Sequence, residues 1–191
     1  ATVTSWGTFV RMLTRPLPLA LAAALFAMPL LAQQPSAAEF ANLARYRAAN
    51  AELATPKSGE QRVVFFGNSI TEGWAKHFAT MFPGRPYVGR GISGQTTAQM
   101  VLRFRQDVVA LKPAAVVILA GTNDIAGNTG PATLEEIESN LAAMTELAQA
   151  NGITVLLSSV LPVYDYPWKP GLQPAPKIVA QPPDLDVRAG S

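Results

Sequence analysis

Three short stretches each follow a run of apolar residues and carry groups suited to acyl chemistry: Gly67-Asn68-Ser69-Ile70-Thr71, Gly91-Ile92-Ser93-Gly94-Gln95-Thr96 and Gly121-Thr122-Asn123-Asp124. The first offers a nucleophile. A serine on a tight turn between a buried strand and a helix exposes its hydroxyl beside the helix N-terminus, where amide N–H groups favour developing negative charge. Such turns also cap many helices that do no chemistry, so the serine alone is ambiguous. In the second stretch the glycines allow close approach of backbone to a ligand, and the N–H of Gly94 can serve as an oxyanion donor. A plain glycine-rich loop, with Thr96 or Thr97 capping the next helix, fits the same residues. In the third, Asn123 can aim its side-chain amide inward as another oxyanion donor, or merely form the turn that Asn and Asp favour.

These stretches need elements to hold them. Residues 35–52, with Phe40, Leu43, Ala44 and Tyr46 in Ala-rich sequence, predict a helix. Residues 63–66 form an apolar, β-branched and aromatic run ended by Gly67, the pattern of a strand buried on both faces. A weaker strand is expected at residues 87–88, a helix at 97–111, and a third strand at 115–120 ended by Gly121. Thr133 predicts a cap for the next helix, with Glu135 and Glu136 in its first turn, and Asn151-Gly152 its end. A fourth strand is expected at 154–160. Apolar strands alternating with helices imply an α/β fold: a parallel sheet covered on both faces, binding ligands beyond the carboxyl ends of its strands. There is no internal repeat and no sign of a second domain.

Bulk properties narrow the function. Hydrophobic residues make up 49% of the 191 and charged residues 15%, which excludes a disordered chain. The net charge of +2 comes from Arg11 and Arg15, since the rest of the chain balances its acids and bases. Nucleic acid is therefore not an expected partner. Those arginines precede an apolar run over residues 17–32, interrupted by Pro18 and Pro29 and ending in Ala32. Residues 1–32 thus have the parts of a secretory leader, with Met12 as a natural start, and the expected location is secreted or periplasmic after cleavage. The run is short for a membrane anchor, which takes about 20 residues. The chain has no cysteine and one histidine, which argues against a metal site, and no cofactor is expected.

The three stretches, in this order and each after its own strand, resemble the blocks of the SGNH hydrolases, also called GDSL esterases and lipases. The resemblance covers roughly residues 63–177. It implies a three-layer, flavodoxin-like α/β/α sandwich over residues 33–180, with Ser69 as nucleophile. It also implies an oxyanion hole made by the Ser69 amide, the Gly94 amide and the Asn123 side chain. Asn68 stands where the family most often has aspartate, and Gly89 where asparagine is common. The family's last block, Asp-x-x-His, has no match: Asp184 and Asp186 are followed three residues on by Val187 and Ala189. His77, the one histidine, lies eight residues after Ser69, in or beside the nucleophile's own helix. Residues 174–180 look like the start of a helix that Pro182-Pro183 interrupts, and residues 181–191 read as an irregular tail. The expectation is a truncation or frame change near Ala180, with the fifth strand and the base missing and activity impaired. The resemblance implies an esterase for short acyl groups, with a small-molecule or carbohydrate ester as substrate. The aromatic, proline-rich residues 161–172, with Tyr164, Tyr166 and Trp168, would border the site. The alternative is a non-catalytic protein that binds carbohydrate or ester with the same pocket.

Overall fold

A computed structural model describes residues 34–160 and 165–171. The leader, Met12, the helix expected at 174–180, the tail and Tyr164 lie outside the described residues. Four strands, β1 (Val63–Gly67), β2 (Tyr87–Gly91), β3 (Ala115–Leu119) and β4 (Thr154–Leu157), form one parallel sheet in the order β2-β1-β3-β4. The helices are α1 (Ala37–Phe40), α2 (Arg47–Glu52), α3 (Ser69–Ala75), α4 (Phe78–Met81), α5 (Thr97–Asp107), α6 (Thr122–Ile125) and α7 (Leu134–Gln149).

Alternation along the strands divides the sheet's side chains between two layers of helix. Val64, Phe66, Val116 and Ile118 are buried against Met100 and Phe104 of α5 and Ile137 and Leu141 of α7. Each such side chain contributes about 1.5–3 kcal/mol by leaving water. On the opposite face, Phe65 and Tyr87 meet Trp74, Phe78 and Phe82 in a cluster with ring centroids 4.7–6.2 Å apart, which seats α3 and α4. The expected α/β/α layering is present. At β4 that second face is open among the described residues, and Leu156 is half-exposed.

Several boundaries differ from the sequence expectation. The helix predicted over residues 35–52 is two short helices, α1 and α2, joined by a turn in which Asn42 has φ +51°. The turn exists because α5 and the loop before it capture its carbonyls: Gln99 Nε2 donates to Phe40 O and Gln95 Nε2 to Ala41 O, each at 2.7 Å, and Gln106 Nε2 to Leu43 O at 2.9 Å. The helix predicted to Leu111 stops at Asp107, and Val109–Leu111 is a 3₁₀ turn. β2 extends to Gly91, while β3 ends at Leu119 and β4 at Leu157. Thr133 caps α7 as expected, accepting the Glu136 N–H at 3.2 Å.

Candidate active site

β1, β2 and β3 end level, with Gly67 paired to Gly91 on one side and to Leu119 on the other. Because the chain builds outward from β1 in both directions, the crevice between β1 and β3 is the topological switch point, where doubly wound sheets bind ligands. Ser69 lies two residues beyond β1, as the first residue of α3, and its side chain is exposed. Asn68 Oδ1 caps the helix by accepting the Ile70 N–H at 3.1 Å. The cap needs only an acceptor, so Asn serves as well as Asp would.

Gly94 sits three residues past β2 at φ +78°, in the left-handed region that glycine tolerates. Its carbonyl accepts Asn128 Nδ2 at 3.1 Å, which fixes the peptide from the opposite loop. Neither the Ser69 nor the Gly94 amide has an acceptor among the described residues. Asn123, in α6, is buried, and its Nδ2 donates to Gln95 O at 2.8 Å. A primary amide carries two N–H donors, so that bond fixes the group and leaves one donor. The Asn123 amide is thus held one peptide away from Gly94.

Residues outside the three predicted roles tie these loops together. Glu72, on the first turn of α3, accepts Ser93 N at 2.8 Å and Ser93 Oγ at 2.5 Å, and Arg45 Nη2 at 3.0 Å. Those bonds, Ser93's foremost, hold its carboxyl below the ordinary carboxylate value, against a smaller desolvation effect. Arg103 is fully buried. It donates to Gln95 Oε1 at 2.5 Å, Arg90 O at 2.9 Å, Gly67 O at 3.0 Å and Asp107 Oδ2 at 3.1 Å, and lies 4.2 Å from the centroid of the Phe66 ring. One guanidinium therefore joins the ends of β1 and β2 to the loop that carries Gly94. Asp124 reaches across from α6 to the start of α5, accepting Thr97 N at 2.9 and 3.0 Å and Thr97 Oγ1 at 2.5 Å. Burial pushes the Asp124 carboxyl up, and the Thr97 bonds oppose the shift.

His77 is not brought to the serine. It is exposed in the turn after α3, beyond about 9 Å of helix rise from Ser69 to Ala75. No other histidine exists in the 191 residues. Among the described residues, no group of three or more His, Cys, Asp or Glu side chains could hold a metal ion.

The profile of the GDSL-like lipase/acylhydrolase family matches residues 65–181, more than half of the chain. The chain belongs to the GDSL-like lipase/acylhydrolase family. Among solved structures, a GDSL-like lipase from Bacteroides thetaiotaomicron is 52% identical with a TM-score of 0.71, over 74% of this chain and 69% of that one. A Bacteroides fragilis protein, provisionally named an acylhydrolase, is 50% identical with a TM-score of 0.70, over 73% of this chain and 67% of its own. Esterase TesA of Pseudomonas aeruginosa is 32% identical over 56% of this chain and 58% of its own length. The lipoprotein YqeF of Bacillus subtilis, uncharacterized by name, is 31% identical over 56% and 51%. The chain thus spans little more than half the length of these two curated relatives. Within the GDSL-like family match fall Ser69, Gly94 and Asn123, together with Glu72, Arg103 and Asp124, which sequence reasoning passed over. Asp124 was visible in the third stretch but indistinguishable from a turn residue. Arg103 shows only its i,i+4 spacing to Asp107 in the sequence, because its other partners are the Arg90 and Gly67 carbonyls at strand ends and the Gln95 side chain in the loop after β2.

Proposed function

We propose that the protein is a serine ester hydrolase for short acyl groups such as acetyl, with Ser69 as nucleophile. The Ser69 amide, the Gly94 amide and the Asn123 side chain would receive the oxyanion. The observation that carries this reading is the convergence of the three groups on adjacent strand ends, with both backbone amides lacking acceptors among the described residues. Attack of Ser69 Oγ on the ester carbonyl would place negative charge on the carbonyl oxygen. Preformed donors there lower the barrier without reorganising during reaction. The hydroxyl proton needs a base. His77, the one histidine of these 191 residues, lies in the turn beyond the far end of α3, so their turnover is proposed to be slow.

The alcohol half is taken to be a carbohydrate. Trp168, 56% exposed and ring-to-ring with Tyr166 at 4.8 Å, offers an aromatic face on a loop tied to the end of α6 through Lys169 Nζ and the Ala126 carbonyl. Residues 1–32 support an extracytoplasmic location, and one relative is named a lipoprotein. The exposed Trp168 face is equally compatible with a second reading, a protein that binds carbohydrate esters without cleaving them.

p-Nitrophenyl acetate separates the two. The expected outcome is an acetylated Ser69 peptide by mass spectrometry, and a slow hydrolysis above the protein-free rate that Ser69→Ala abolishes. Equal hydrolysis by the Ser69→Ala protein would exclude the serine mechanism. Acetylated sugar bound without any acyl transfer would establish the binding reading.

A further inference from the structure

A cavity of about 410 Å³ lies beside Gly94, between the N-terminal turn and the loops after β2 and β3. That volume falls within the roughly 300–1,000 Å³ of ordinary small-molecule sites. One wall, Glu39, Phe40 and Asn42, precedes the stretch that matches the family profile, residues 65–181. It is nonetheless firmly placed, because Gln95 and Gln99 bind the Ala41 and Phe40 carbonyls at 2.7 Å each. Gln95 is the same residue whose carbonyl fixes Asn123. The wall is therefore built onto the oxyanion loop itself.

We infer that this cavity is the subsite for the alcohol half of the ester, and that it selects a neutral, hydroxyl-rich group such as a sugar ring. The inference rests on the ester reading of Ser69 and Gly94 and adds to it the location and chemistry of selection. The lining is mostly uncharged and polar. The Asn42 side chain has no partner among the described residues, and Asn128 spends Nδ2 on Gly94 O and keeps its Oδ1 as an acceptor. Thr129 Oγ1 is 3.2 Å from Thr96 Oγ1 and retains hydrogen-bonding capacity. Such donors and acceptors match hydroxyl groups. Glu39 is the one charged residue in the lining, so a phosphate- or carboxylate-bearing alcohol would meet a like charge there and no cation in the lining itself. Phe40 and Ile92 are its only large apolar side chains, too few to hold a long acyl chain.

The test is binding of mono-O-acetyl methyl xyloside by saturation-transfer NMR and titration, using the full chain with Ser69→Ala to prevent turnover. Asn42→Gly, which suits the positive φ at that position, should weaken binding about fivefold, the scale of one or two lost hydrogen bonds. Thr129→Val is a second, near-isosteric probe that should also weaken it. Xylose 1-phosphate should bind at least tenfold more weakly than the neutral xyloside. If both variants bind as tightly as the parent, or the phosphate binds as well as the neutral sugar, the subsite assignment is overturned. If the sugar binds in this Asn42-dependent way yet the unaltered protein never acylates Ser69, the subsite stands and the hydrolytic reading falls.

Discussion

At the scale of single residues, Arg103 decides whether the site exists. It lies on the inward face of α5 with Met100, Phe104 and Asp107, all fully buried. Desolvation drives its guanidinium pKa down, and Asp107 pulls it back, so the charge is sustained by its partner. Removing one member of a buried pair costs about 3–5 kcal/mol, because the other is left uncompensated. Arg103→Leu is therefore expected to lower the urea-unfolding free energy by about that amount, while Asp107 keeps its bond from Asn50 Nδ2 at 2.7 Å. Arg103→Lys should recover only part of the loss, since an ammonium cannot reproduce the planar fork that spans Gly67 O, Arg90 O and Gln95. A Leu variant as stable as the parent would show that the network is dispensable.

At the scale of elements, the packing of α3 on the sheet is set by glycines in β2. A Cβ on Gly91 would lie 2.3 Å from Glu72 N and 2.6 Å from Asn68 O, both backbone atoms of the nucleophile's turn. A Cβ on Gly89 would lie 2.2 Å from Ala75 Cβ, which accounts for glycine where the resembled family commonly has asparagine. Gly91→Ala should therefore push α3 off β2 and destabilise by about 1–3 kcal/mol, as overpacking does. In the same variant the Ser93–Glu72 contact should break, which amide chemical shifts of Ser93 would report. Strands and the long helix α7 were legible because their periodicity and caps are local. The split of residues 35–52 into α1 and α2 was not, because the carbonyl-capturing glutamines lie more than 50 residues downstream, on α5 and in the loop before it.

At the scale of the molecule, Glu72 joins three distant segments: Arg45 before the sheet, the start of α3, and the loop carrying Gly94. Its carboxyl is held below its ordinary value of 4.5, so the charged form is favoured by folding. That contribution is complete above pH 4.5 and is lost as pH falls through the folded-state value. The difference in unfolding midpoint between the parent and Glu72→Gln should be constant near neutral pH and shrink as the solution is acidified below 4.5. A difference independent of pH would mean that the carboxylate charge plays no part. Sequence alone determined the α/β class, the four strands, and the residue types Ser69, Gly94 and Asn123 that follow three of them. Each of those follows from hydrophobic period and turn chemistry, which act over a few residues. Tertiary structure decided the rest: that the three strand ends lie level, and that Arg103 and Gln95 lock their loops together. It also decided that residues 39–42 wall a cavity at Gly94. Those outcomes depend on hydrogen bonds between groups far apart in the chain, whose partners are largely backbone carbonyls and so leave no mark in the identity of any residue.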